Sequence, residues 1–493
     1  MKKEQIRTLT VLLALLTAAA ASVTACGSEA AAPEQKNTAP AETEAAPAET
    51  EFSYKADYLP DVDYGGYEYR LVQYEEDPMD VPEETGVIID DAICRRNRKI
   101  EEEYNIRFTA KTYLYTNYPD VKTAFDKSGR SQSDDFDLAM LTFRDAYNTI
   151  LEGLAPAASV MPMTDLSQPW YIQSINDSLT IDGITLMGYT ALECQPGGGG
   201  IVFNRKIVQE LDMDDPYALV DSGKWTSDVF YKMGVDAIYD VDGDGKFAPG
   251  DRFGLITEWD RLSQVAYMGT GHLLVNIIDG VPVASQEELL VTAFTICQEH
   301  SNMPGFMLDT FAQFGTAESS RIEGFQLFKQ GGSLFIICGS GSLTGFGDMQ
   351  DDYGIVPYPK WTEDQERFYN PTSGGSLALP LSCSTDLERV CVIKEALAVE
   401  SLNIVTPAFY DNALKNRYLR DEDSVRMLEI ISANGVVDLG QSPWWDIVRV
   451  PWQNTLVSKK PNFASAVEKN MKKSQKAIDE LMEKVAAIKE EIG

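Results

Sequence analysis

The sequence predicts an α/β protein built on doubly wound sheets, and two observations carry that expectation. The first is alternation. Tyr67–Tyr74 (YEYRLVQY) reads as a strand after the Gly65-Gly66 turn. Residues 87–104 place Ile89, Ala92, Ile93 and Ile100 at helical spacing. Asn105–Thr109 returns as a strand, a second helix covers 119–130, and Phe136–Leu141 is a third strand. This β-α-β-α-β run is the start of a doubly wound sheet with helices on both faces. The second observation is length. The body beyond the N-terminal segments has about 440 residues, enough for two lobes with separate cores.

The N-terminus reads as an export signal. Lys2, Lys3 and Arg7 precede an apolar run at 9–21 that is too short for a membrane span. Val23-Thr24-Ala25-Cys26 resembles a bacterial lipobox, which implies a signal peptide over 1–25 and lipid on Cys26. Acyl chains anchor by burial, at about 0.8 kcal/mol per methylene. Residues 27–51 are mostly Ala, Pro, Glu and Thr. Such a segment cannot offset its ordering entropy and reads as a disordered tether over 26–51. The expected location is the extracytoplasmic face of a bacterial cell membrane, lipid-anchored.

Charge and rare residues exclude several functions. The net charge is −34, which argues against nucleic acid as a partner, because phosphates need basic surface. With only two histidines, His272 and His300, a His-based triad or multi-His metal site is not expected. Beyond Cys26, six cysteines remain without CxxC or Cys/His spacing, mostly in apolar context. Cys383 and Cys391 are close enough in sequence to pair across a short loop, or to stay free.

Residues 240–251, DVDGDGKFAPGD, carry the sharpest local motif. Asp240, Asp242, Asp244 and Asp251 stand at positions 1, 3, 5 and 12 of an EF-hand-type loop, with Gly245 at position 6. These carboxylates, the Lys246 carbonyl and a water would supply a calcium ion's oxygens. Position 12 is Asp where the EF-hand has Glu, as in dockerin loops. The expected cofactor is one structural calcium; the competing reading is an acidic turn without metal.

From about residue 66 onward the chain resembles the extracellular solute-binding protein family 1, the maltose-binding-protein-like lipoprotein receptors of ABC-type sugar importers. The resemblance rests on NRKIEEEYNIRF, IVFNRKIVQELDMDDPYALVDSGKWTSDVFYKM (201–233), GIVPYPKWTEDQERFY (354–369), residues 396–431, and WWDIV before a basic-acidic helix over 464–492. It implies a two-lobe periplasmic-binding-protein-like fold, with doubly wound sheets joined by a hinge. The chain would cross between lobes near Leu192–Val202, through Gly197–Gly200, and back near Thr372–Pro380, through Gly374-Gly375. Lobe 1 would comprise 66–194 plus 376–440, and lobe 2 would comprise 200–372 plus 441–493 with the calcium loop. Glycines at crossings can absorb hinge rotation or can be plain loop chemistry.

Ligand residues follow from two sources. Thr142, Arg144 and Asp145 come after the strand FDLAML, at the carboxyl end where open α/β sheets bind ligands. Arg can fork to two hydroxyls and Asp can accept from a third. The resemblance places Trp445 as a stacking aromatic and Trp259 as a second one. Trp444 adjoins Trp445; helical neighbours point about 100° apart, so one faces the cleft and the other packs. Glu193 lies at the first crossing. Trp170 reads as wall or core, Trp225 as a packing residue ahead of a helix capped by Thr226 or Ser227, and Trp361 as an exposed or loop residue. The family's aromatic after the strand SLFIICGSGS is replaced here by Cys338, Gly339, Ser340, Gly341 and Ser342, which leaves room for a bulkier or differently shaped ligand.

The leading expectation is a monomeric, non-enzymatic binding lipoprotein that captures a carbohydrate, an oligosaccharide above all, and hands it to permease subunits. A surface glycoside hydrolase would need two carboxylates about 5–10 Å apart across a cleft. A binding protein for a peptide or other solute, and an adhesin using the dockerin-like loop, are the remaining alternatives.

Overall fold

Two mixed sheets form the frame. In chain order their strands are β1 (Tyr67–Tyr74), β2 (Ile106–Tyr113), β3 (Leu138–Thr142), β4 (Gly199–Asn204), β5 (Phe253–Thr257), β6 (Met307–Asp309), β7 (Ser333–Gly339), β8 (Tyr353–Val356) and β9 (Ser376–Pro380). The structure, a computed structural model, describes residues 53–493 except 115–116, 194–197, 286–287, 373–375, 416–417, 442, 457, 459–461 and 493. The signal sequence, Cys26, the tether, Gly197 and the Gly374-Gly375 pair lie outside the described residues.

The first sheet is ordered β9-β3-β1-β2 and the second β6-β5-β7-β4-β8. β1 and β2 run parallel, from Tyr67 opposite Ile106 to Tyr74 opposite Tyr113. β9 returns from much later in the chain and pairs antiparallel with β3, Ser376 opposite Thr142. It is an edge strand and ends in Pro380, which an edge tolerates. In the second sheet β5, β6 and β7 are parallel, while β4 runs against both β7 and β8. Every residue of β4 and β5 is buried. Such continuous apolar strands are those of sheets covered on both faces.

Local chemistry sets the element ends. The helix Ile88–Tyr104 stops at Asn105, whose φ of 47° is left-handed. The side chain of Asn204 accepts from the amides of Lys206 and Ile207 and so starts the helix Arg205–Glu210. Asp215 does the same for Pro216–Asp221, with Pro216 in the first turn. Thr226 precedes the helix Ser227–Asp236 but makes no side-chain cap, and the Ser227 hydroxyl instead donates to the Lys360 carbonyl. The last helix, Phe463–Ile492, closes the chain. Among the described residues, no helix is long and apolar enough to cross a membrane.

Trp225 is fully buried in the main core. Its indole N–H donates to the Pro357 carbonyl at 2.8 Å, and its ring meets the edges of Phe230 and Phe335. Trp361 lies in the loop after β8, as one of its two readings had it, and packs partly buried against the core. Cys383 and Cys391 are both free thiols. Replacing Trp225 with Ala should cost about 3–5 kcal/mol of unfolding free energy through the cavity and the orphaned carbonyl. Denaturant unfolding measures this, and a loss below about 1 kcal/mol would contradict that packing role.

Candidate functional site

A cleft of about 1200 Å³ opens where the two sheets face the same solvent space. From the first sheet it takes Thr142, at the carboxyl end of β3, and the residues that follow. From the second it takes Gly339, at the carboxyl end of β7, opposite Gly199 at the start of β4. Ligands of open α/β sheets sit at such strand ends. The floor is made by Gly199, Pro371, Thr372, Val436 and Val437. There the short strand Asn370–Pro371 pairs with Gly435–Val436.

The helix Phe143–Leu151 presents the predicted polar trio. Thr142 caps it by accepting from the Asp145 amide, and the Thr142 hydroxyl donates to the Asp145 carboxylate at 2.8 Å. Both therefore line the cleft and close a capping contact as well. Arg144 lies between them in sequence and is exposed, with its guanidinium over the Trp445 ring at 4.9 Å. Trp445 lines the cleft, half-buried. Trp444 is buried and hydrogen-bonds the Tyr147 hydroxyl. The two tryptophans thus divide as neighbours should, although they sit in a turn before the helix Arg449–Leu456 and not within it.

Three other candidates are placed elsewhere. The helix Trp259–Gly269 turns Arg261, Gln264 and Met268 to the cleft. Trp259 is two residues, about 200°, out of phase with that face, and it packs partly buried against the core. Trp170 is buried in a small separate cluster with Tyr171, Ala398 and Val399, and its N–H donates to Glu395 at 3.0 Å. Glu193 turns inward. It accepts from the Thr190 amide and hydroxyl and lies 3.7 Å from the buried Lys394 ammonium.

Sequence reading missed most of the far wall. Arg261, Arg321 and Phe325 reach it from two different helices, and Asp438, Gln441 and Arg449 come from the segment flanking Trp445. Arg449 carried no signal in the sequence, because Trp445 sits in the turn before the helix that Arg449 starts. Arg449 pairs with Asp260, and Arg261 lies 3.6 Å from Glu258. At Gly339 and Gly341 a Cβ would meet nothing within 4 Å, so this stretch of the wall is open space.

Asp438 is the buried polar centre of this wall. Its carboxylate accepts from the amides of Leu274 at 2.7 Å, Val275 at 3.1 Å and Gly440 at 2.8 Å. Burial pushes its carboxyl up to about 6, outweighing the amides that favour the ionised form.

The acidic loop is a separate site. Asp240, Asp242 and Asp244 each bring a carboxylate oxygen within 4.8 Å of the others. Asp240 accepts from the amides of Gly243 and Gly245, and hydrogen bonding by the Gly245 amide, first among its causes, lowers its carboxyl. Gly245 has φ of 77°, a conformation glycine takes without strain. Asp251 stands apart from the trio: its two oxygens accept from the amides of Val241 and Ala248. The loop is closed at its base by paired backbone hydrogen bonds between Tyr239 and Arg252. Three like charges this close repel, and their oxygens are of the donor type that a hard divalent cation takes.

Two sheets flanking one cleft define the two-lobe α/β architecture of periplasmic binding proteins. Solved structures share it. The maltose/maltodextrin-binding domain MalE from Bdellovibrio bacteriovorus, bound to maltotriose, is 15% identical with a TM-score of 0.51, over 84% of this chain and 100% of that one. A cyclo/maltodextrin-binding protein complexed with maltotetraose is 15% identical with a TM-score of 0.53, over 87% and 99%. An ABC transporter solute-binding protein from Agrobacterium radiobacter K84, in complex with ribitol, is 11% identical with a TM-score of 0.52, over 84% and 100%. At these identities the likeness is one of fold. No protein-family model matches the sequence, and no curated protein does.

The buried Asp438 yields a signed pH prediction. Between its ordinary value of 3.8 and about 6, the folded chain holds a proton that the unfolded chain has lost. Stability from this group is therefore present at low pH and lost as pH rises through that window, by about 3 kcal/mol at most. Asp438→Asn removes the titration and turns an amide donor against backbone donors, which should itself destabilise by about 1–3 kcal/mol. In urea unfolding, the wild-type margin over the variant should shrink as pH rises from 4 to 6 and stay flat above. A margin that grows with pH would overturn the assignment.

Proposed function

We propose that this chain is an extracytoplasmic solute-binding lipoprotein of an ABC importer that captures a carbohydrate between two lobes. The observation that carries the reading is the cleft itself: about 1200 Å³ at the strand ends of two sheets, with Trp445 set among Arg144, Gln264 and Gln441. Its size suits an oligosaccharide, and an aromatic face beside forked and amide polar groups suits a ring with hydroxyls at its rim. The lobes would be 66–194 plus 376–440, and 200–372 plus 441–493. Ligand touching both would favour the closed state by its differential affinity, and the closed form would dock on permease subunits. The lipobox-like VTAC would attach Cys26 to the outer face of the membrane. The acidic loop would hold one structural calcium, through Asp240, Asp242, Asp244 and the Lys246 carbonyl, with Asp251 bracing the loop by its amide contacts.

The hydrolase alternative draws less support from the cleft. Its lining carboxylates, Asp145 and Asp438, cap a helix and bind buried backbone amides, which leaves neither placed as a free acid or base.

Two measurements test these assignments. A thermal-shift and calorimetric panel of oligosaccharides should find one class that binds without turnover; ligand at 100 times Kd adds about 2.7 kcal/mol of stability. Trp445→Ala should weaken that ligand about tenfold to a hundredfold while lowering the unfolding midpoint by only a few degrees, through the part of the ring that is buried. Unaltered affinity would remove Trp445 from the site, and product formation would favour the hydrolase. For the loop, a chelator should lower the midpoint by several degrees, with calcium restoring it and magnesium failing to. A midpoint indifferent to chelation would leave 240–251 an acidic turn.

A further inference from the structure

The charge of the cleft runs opposite to the charge of the chain. Acidic residues outnumber basic ones 76 to 42 overall. Among the described residues, the cleft is lined by four arginines, Arg144, Arg261, Arg321 and Arg449, against two acids, Asp145 and Asp438. Both acids are already engaged, one in a helix cap and one with buried amides. Two of the arginines have acids beside them, Asp260 next to Arg449 and Glu258 next to Arg261. Arg144 and Arg321 have no acidic partner among the described residues. Arg144 is held by the Trp445 face, a contact that fixes a guanidinium plane without neutralising it.

We propose that the captured glycan is anionic, a sugar bearing carboxylate groups such as a uronic-acid oligosaccharide, with Arg144 and Arg321 receiving its charge. A neutral sugar does not require unpaired cations facing the site. A carboxylate does, because a planar guanidinium fork matches it with two charge-assisted hydrogen bonds. The open wall at Gly339 and Gly341 gives the substituent space. Sulfate esters present the same charge without the planar match. The inference rests on the carbohydrate-capture reading and narrows it.

The test is calorimetric titration of the full chain with tetragalacturonate, tetramannuronate and a sulfated tetrasaccharide, each beside its neutral counterpart. A uronate tetrasaccharide should bind at least about tenfold more tightly than the neutral form, and added salt should weaken it. Arg321→Gln and Arg144→Gln should each lower the ratio of uronate to neutral-sugar affinity by about tenfold or more, and Arg321→Lys should recover part of that ratio. Both sites are exposed, so unfolding midpoints should be unchanged. Equal binding of neutral and charged forms would overturn the inference and leave carbohydrate capture standing. Preference for the sulfated form over both uronates would overturn the carboxylate assignment. Failure of every glycan, charged or neutral, would overturn the inference and the carbohydrate reading together.

Discussion

The cleft depends on how closely three chain segments approach at its floor. Gly199 opens β4, Pro371 lies in the short strand Asn370–Pro371, and Val436 pairs with Pro371. A Cβ on Gly199 would stand 2.4 Å from the Pro371 ring, and one on Gly198 would stand 2.7 Å from the Pro371 carbonyl oxygen. Any side chain there would force the segments apart. The consequence reaches both walls. Gly199 is in register with Gly339, whose loop forms the open wall, and Val436 leads directly to Asp438, Gln441 and Trp445. At Gly198 and Gly199 the lack of a side chain is what permits this contact.

From that floor a chain of hydrogen bonds presents the aromatic face. Asp438 accepts from the Gly440 amide and from Leu274 and Val275, tying the segment to the second half of the fold. The Trp444 amide then donates to the Leu439 carbonyl, and Trp444 itself is buried against Tyr147. Trp445 is what remains facing the cleft. A buried carboxylate with several amide donors is rigid because each donor would otherwise be unsatisfied. The stacking surface thus inherits its position from polar groups that a ligand need not touch.

The sequence disclosed some of this and concealed the rest for physical reasons. The strand-helix alternation from Tyr67 to Thr142 was legible because parallel strands and their helices have distinct periods. Thr142, Arg144 and Asp145 were legible because strand ends predict ligand sites. Arg261, Arg321 and Arg449 were not, because three helices far apart in sequence bring them together. Trp259 was misplaced by the phase of one helix, visible only once the cleft-facing residues were known. Trp170 reads as wall or core in sequence, and what decides for core is the buried Glu395, more than two hundred positions away, which accepts from Trp170, Tyr58 and Tyr171.

A strongly acidic chain with an arginine-lined cleft poses an electrostatic question. The net charge of −34 repels an anion at long range and slows its approach, most of all at low salt. At physiological ionic strength the Debye length is about 8 Å, so exterior carboxylates beyond that distance are largely screened. Inside the cleft the balance reverses, since the nearest charges are guanidiniums and part of the intervening water is excluded. An anion would lose little at the surface and gain most of its interaction after entry. Arginine suits this better than lysine. Its charge is weakly hydrated and permanently protonated, so the cleft keeps it beside indole without a large desolvation cost. Closure of the lobes would then strengthen these contacts as remaining water leaves, coupling the charge of the ligand to the motion that retains it.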